Sequence, residues 1–161
     1  METKQALKEC ELFSSLGDQA LEEISEWSTQ RTYEPGMTIF DEGQSAEELL
    51  VVQEGRVAVQ MTLRRIEGER ARRITIDVAT KNEVIGWSAI VQPHKYTFAA
   101  VCMQRAVVLA ITADKLRRLL REDSRAGYEV LKVLTRVIAG RLDETRRILI
   151  SERLLADQPD H

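Results

Sequence analysis

Histidine is almost missing from this chain. Among 161 residues there are two, His94 and His161, and the second is the last residue. A metal enzyme inside a β-roll needs two or three His plus a carboxylate converging on one point, so this composition nearly excludes one. A single internal His also leaves no credible Ser-His-Asp set. There is no Walker-type loop and no GxGxxG, so the chain is not expected to be an enzyme and no cofactor is expected. Cysteine is scarce as well. Cys10 and Cys102 stand far apart with no CxxC, so they make no zinc site alone and are read as buried free thiols. No apolar run approaches ~18 residues, which argues against a membrane span. The first ten residues are charged and lack the apolar stretch of a secretory signal, so the chain is placed in the cytoplasm by default. Charge of one sign is lacking too: the net charge of −3 favours neither a nucleic-acid binder nor an acidic tail.

What is present is an ordinary soluble balance, 43% hydrophobic and 30% charged, with enough length for one real core. Residues 3–10 can form one or two helical turns. Gly17-Asp18 can start a second short helix, with Leu21 and Ile24 on one face and Glu22, Glu23 and Glu26 turned away. From Ser28 the period changes to two. Residues 30–34 are extended, Pro35-Gly36 makes a turn, and 37–40 is a short strand. Residues 49–53 form an apolar strand, and Glu54-Gly55 reads as a hairpin. Val57, Val59 and Met61 alternate with Ala58, Gln60 and Thr62. A charged hairpin tip spans 66–70, and Ile74, Ile76 and Val78 alternate again. A further strand covers 106–111. Short strands with turns about every ten residues indicate a sandwich or barrel, and specifically a double-stranded β-helix or jelly roll. The fold class is mainly β with flanking helices.

Residues 82–101 are the organising segment. They read as a short strand, a turn at Gly86, a helical turn over 87–91, a loop around Pro93, and a strand from Tyr96. Free backbone N–H groups at such a helix start attract anions. Gly86 is equally well explained as relief for a tight turn. After Thr112, placed to cap a helix carrying Leu116, Leu119 and Leu120, a much longer helix starts at Asp123-Ser124. It contains no Pro up to Ala156 and could reach roughly 50 Å at 1.5 Å per residue. Leu131, Leu134, Ile138, Leu142, Thr145, Ile148 and Leu149 form its apolar stripe. Part of the stripe should pack on the barrel and the rest on a second copy of the helix, against the plainer possibility of a monomer with a frayed end. Arg64, Arg65, Arg70, Arg72 and Arg73 make a basic patch diluted by Glu67, Glu69 and Asp77, best read as a solvated edge. The chain divides into a roll with short helices, 1–123, and a long dimerisation helix with its tail, 124–161.

In this order the elements resemble the cyclic nucleotide-binding domain family, the sensor half of the catabolite activator proteins. Tyr33-Glu34-Pro35-Gly36-Met37-Thr38-Ile39-Phe40-Asp41-Glu42-Gly43 is similar to the family's opening strand and turn. Leu50-Val51-Val52-Gln53-Glu54-Gly55-Arg56-Val57 resembles the next hairpin, and residues 82–101 resemble the phosphate-binding cassette. Ala139-Gly140-Arg141-Leu142 resembles the start of the helix half that reaches over the ligand. The resemblance implies an eight-strand roll and a candidate pocket of Ile85, Gly86, Trp87, Ser88, Tyr96, Thr97 and Thr145. It also implies that a Gly-Glu pair should bind the ribose and an Arg the cyclic phosphate. Here Gly86-Trp87 stands for the first, and an indole has no acceptor. Tyr96 stands for the second, with Lys95 or His94 as neighbours. Losing that charged contact should cost ~2–5 kcal/mol of affinity.

A cyclic nucleotide is therefore disfavoured. Trp87 and Tyr96 either fill the pocket or stack a different apolar or aromatic ligand. The expected function is a stand-alone regulatory or sensor module that signals through its C-terminal helix, as a homodimer or to an unidentified protein partner. The alternatives are the sensor half of a transcriptional regulator and a ligand-free dimerisation module. Family transcription factors carry a helix-turn-helix after the long helix; with the last residue at His161, no DNA reader is expected within the chain.

Overall fold

The structure, a computed structural model, describes residues 2–63 and 72–156. The expected hairpin tip, together with Arg64, Arg65 and Arg70 of the basic patch, lies outside the described residues. The elements are α1 (Glu2–Glu9), α2 (Asp18–Glu26), β1 (Ser28–Tyr33), β2 (Thr38–Phe40), β3 (Glu48–Leu63), β4 (Arg72–Ala79) and β5 (Val84–Ile85). A 3-10 turn (Trp87–Ala89) follows, then β6 (Ala99–Thr112), α3 (Ala113–Glu122) and α4 (Ser124–Ala156). This is the jelly-roll class that the strand spacing predicts. Leu7 of α1 and Leu21 and Ile24 of α2 are fully buried, so the short helices close one end of the roll.

Two long, bent strands replace four of the predicted short ones. All pairing is antiparallel in the order β1-β6-β3-β4, with β2 added to β6 and β5 to β3. Glu54-Gly55 is not a hairpin. The chain continues straight through it, and β3 stays paired with β6 on both sides, from Glu48↔Thr112 to Gln60↔Ala99. The register slips three times between Val52 and Val57, which lets both strands bend. Gly55 is needed there twice over. Its φ is +85°, and a Cβ would lie 2.1 Å from the Arg105 carbonyl oxygen. Sequence alone cannot separate this bulge from a turn, because both want a glycine at positive φ.

A second bulge sets up the site. Across the β3–β4 ladder Val59 faces Asp77 and Met61 faces Ile74. Three steps on β4 answer two on β3, so the alternation changes phase. Asp77, and not Val78, then shares a face with Val59. The predicted inward run Ile74-Ile76-Val78 is broken at its last member: Ile74 and Ile76 are buried, Val78 only partly.

Thr112 occupies the N-cap of α3 but does not cap it; its hydroxyl donates to the Trp27 carbonyl. Leu116 and Leu119 are buried as expected. Asp123 is the working cap of α4, its carboxylate accepting from the Ala126 N–H at 3.1 Å. Gly127 lets α4 cross α3 closely: a Cβ there would meet the Leu120 carbonyl oxygen at 2.4 Å. Ala126, Val130, Val133 and Leu134 join the same hydrophobic cluster as the strands. The boundary at 123/124 therefore separates elements, not cores. Leu134, expected in an intermolecular seam, is only 2% exposed and is committed to this core. No helix among the described residues is long and apolar enough to cross a membrane.

Burial pushes the Cys10 thiol up to about 12, which leaves it protonated and unreactive at neutral pH. Gly36 and Gly55 should respond differently to alanine. At Gly36, φ +88° with open space around it, alanine costs about 1–2 kcal/mol of backbone strain. At Gly55 the clash with Arg105 adds roughly 1–3 kcal/mol. Urea denaturation of both variants measures the difference, and equal losses would contradict the bulge.

Candidate functional site

The site grows out of the β5 edge. Leu50↔Ile85 and Val51↔Val84 hold β5 to β3, and Gly86 then turns the chain at φ +74°. The 3-10 turn follows, closed by Ala89 N–H donating to the Gly86 carbonyl at 3.1 Å and Ile90 N–H to Trp87 at 2.9 Å. Gly86 also makes room. A Cβ would stand 3.0 Å from the Tyr96 ring and 3.4 Å from Phe40. The tight-turn reading of this glycine holds, and the close approach of the two rings is a second reason for it.

Tyr96 forms the facing wall. It precedes β6 instead of opening it, since that strand begins at Ala99. Its ring stacks on Phe40 at 3.9 Å and 14°. The hydroxyl donates to the Glu48 carbonyl at 2.6 Å, and its backbone bonds to Gly43 and Gln44. Both ends of the residue are fixed, and desolvation raises the phenol to about 12. A group so held cannot swing aside for a phosphate at little cost.

The roof comes from α4. Arg141 is 7% exposed, and its guanidinium carbon lies 4.6 Å from the centroid of the Trp87 ring. Its Nε donates to Asp77 Oδ2 at 2.7 Å. Between Trp87, Arg141, Phe40 and Tyr96 only about 20 Å³ of free space remains, which is room for about one water molecule. Ser88, Thr97, Ile85, Val59 and Phe98 complete the lining.

Of the predicted pocket residues, Ile85, Gly86, Trp87, Ser88, Tyr96 and Thr97 come together. Thr145 does not line the cavity; its hydroxyl turns back to the Arg141 carbonyl at 2.8 Å. His94 and Lys95 line a separate groove with Arg31 and Arg117, so neither replaces the missing phosphate ligand. Arg141 is the residue that reasoning from sequence passed over. Its signal was a cation one turn beyond Val137 on the buried side of α4, where an apolar residue is expected. Among the described residues it is the only cation lining the cavity, and Asp77 already neutralises it. Arg117 of α3 holds the other end of the segment, donating to the carbonyls of Ala89 at 2.5 Å and Ala46 at 3.0 Å.

A cyclic nucleotide does not fit these residues as they stand. Pockets that hold ligands of that size run to roughly 300 Å³ or more. Among the described residues no carboxylate lines the cavity, and its one cation, Arg141, is paired with Asp77. Among the described residues no group of three His, Cys, Asp or Glu is placed to hold a metal.

A roll whose Gly-led turn is roofed by a long helix defines a regulatory, ligand-sensing class of domain. The particular family is clear from sequence: the chain belongs to the cyclic nucleotide-binding domain family, whose pattern matches residues 30–123. This family is a regulatory domain and typically not catalytic. No curated protein matches the chain. Among solved structures it is similar to a putative cyclic nucleotide-binding protein from Geobacter metallireducens, at 22% identity and TM-score 0.74 over 88% of this chain and 99% of that one. It is also similar to the N-terminal domain of a transcriptional regulator from Streptomyces coelicolor, at 24% identity and TM-score 0.63 over 86% and 93%. The regulatory subunit of a cAMP-independent protein kinase A from Trypanosoma brucei, in a mutant bound to cAMP, shares 21% identity at TM-score 0.66 over 83% and 44%. At these identities the likeness is one of fold.

The Tyr96 proton links the site to stability. Its folded pKa of about 12 lies above the ordinary 10.0. The contribution is therefore fully present below pH 10 and is lost as pH rises through 12. The urea midpoint of the wild type should fall across that window relative to Tyr96→Phe. The variant itself should lose about 0.5–1.5 kcal/mol at pH 7 through the missing bond to Glu48. Parallel curves for the two proteins would show that the phenol is not buried as described.

Proposed function

We propose that this protein is a regulatory module whose nucleotide pocket is filled by its own side chains, and which signals through the pose of α4. The observation that carries this reading is the 20 Å³ remnant between Trp87 and Arg141. The residues that would take ribose and phosphate are an indole and a phenol, and the phenol is fixed at both ends. The module is read as non-enzymatic and cytoplasmic. The Trypanosoma kinase subunit, described as cAMP-independent, is a relative in fold for which independence from the nucleotide has been stated.

The output is read as dimerisation through α4. Tyr128, Leu131, Thr135, Ile138, Leu142, Thr145 and Leu149 follow one another at alternating steps of three and four, a heptad seam. Tyr128 (63%), Leu131 (49%) and Leu142 (69%) are exposed apolar positions on it. This seam lies beside the face that packs on the roll. It is where a second copy, or a partner helix of like pattern, would bury them. The sensor half of a transcriptional regulator is a second reading, favoured by the similarity to the Streptomyces domain.

Millimolar cyclic AMP or cyclic GMP should leave the melting temperature unmoved. A ligand at a hundred times its Kd would add about 2.7 kcal/mol, or roughly 5–10 °C in a domain of this size. A rise of that order would overturn the filled-pocket reading. Leu131→Glu with Leu142→Glu should convert a dimer to a monomer in light scattering without lowering helix content. An intact dimer would remove α4 as the seam.

A further inference from the structure

We propose that Arg141 is a built-in latch: it takes the place of a ligand over Trp87 and holds the distal half of α4 closed on the roll without any small molecule. The inference rests on the self-filled pocket and names what that filling controls.

The two halves of α4 are held differently. The first half is anchored by bulk. Ala126, Val130, Val133 and Leu134 are all at least nine-tenths buried, and Gly127 packs against α3. Beyond Leu134 the packing thins. Val137, Ile138 and Ile148 are only partly buried, and Leu142, Leu149 and Ile150 are exposed. Among the described side chains of that stretch, the one buried to the same degree is Arg141.

A guanidinium is an expensive group to bury, and it stays buried only while its partners hold. Both partners belong to the roll. Asp77 is turned toward it by the β4 bulge, and Trp87 stands at the head of the 3-10 turn. The planar cation gives one face to the indole and an edge to the carboxylate, a double contact that an ammonium cannot copy. The helix pose and the 3-10 turn are therefore coupled through a single residue. Arg141 is a positioning residue, and the exposed Leu142 beside it is carried wherever the latch puts it.

Hydrogen exchange on the full chain tests this. Arg141→Ala should speed amide exchange over residues 137–150 and in the turn 86–90 by roughly tenfold or more. Residues 126–134 should keep wild-type protection. Millimolar methylguanidinium should restore part of the lost protection. Arg141→Lys keeps the charge for Asp77 and loses the planar stack, so it should fall between the two, and it remains a readable variant if the alanine form does not fold. Trp87→Leu should loosen the same distal segment. Unchanged exchange in the variants, or a uniform rise along the whole chain, would overturn the latch. Neither result would alter the response to nucleotide. Binding of cyclic AMP by the wild type would instead defeat the filled-pocket reading and leave the exchange pattern as described.

Discussion

A positive charge is held out of water between a carboxylate and an indole, and the rest of the site is arranged around that. A guanidinium in a protein interior carries a desolvation penalty of several kcal/mol. It is tolerated where its hydrogen-bonding edge finds an anion and its face finds a π-cloud. Arg141 has both, at 2.7 Å and 4.6 Å. Removing Asp77 would leave the charge buried without a counter-ion, and removing Trp87 would take away the ring it lies over. This makes the closed arrangement of Asp77, Trp87 and the distal half of α4 cooperative: the three members support one another.

The strands supply the geometry. Asp77 would point elsewhere on β4 without the extra residue opposite Val59 and Met61. Gly55 lets β3 and β6 bend together, so that one end of β3 carries β5 and the other end faces β4. Gly86 admits the Tyr96 ring on one side and starts the turn that presents Trp87 on the other. Backbone irregularities of this kind cost conformational energy, and of the positive-φ glycines Gly86 is the one that lines the pocket.

The architecture is that of a nucleotide sensor, while the contents of the pocket are its own. The cavity beside the turn is lined by Trp87, Tyr96 and Phe40, with Arg141 over it paired to Asp77. The two arginines that contact the segment come from helices: Arg117 grips its end at Ala89, and Arg141 covers its start. Such an arrangement ties the turn to α3 and α4 directly.

Much of this was readable from the chain. Turn glycines and two-residue alternation pointed to the roll, the lack of proline between Asp123 and Ala156 to a long helix, and Gly86-Trp87 with Tyr96 to an altered pocket. These are local properties, in which each residue type limits its own backbone or its own chemistry. Three things were not readable. Gly55 served a bulge and not a hairpin, because positive φ does not say whether the chain turns back. Leu134 went to the core and Leu131 to the surface, because a stripe that slides between three and four spacings has no single face until something packs against it. Arg141 was named only as part of the segment resembling a helix that reaches over the ligand and not as a lining residue, because its place depends on Asp77 and Trp87, 64 and 54 positions away. Composition and spacing thus decided the fold class, and the family resemblance showed that Trp87 and Tyr96 stand where an acid and an arginine are expected. Only the tertiary structure decided what occupies the pocket, because burial and pairing are set by neighbours in space that the order of residues along the chain does not name.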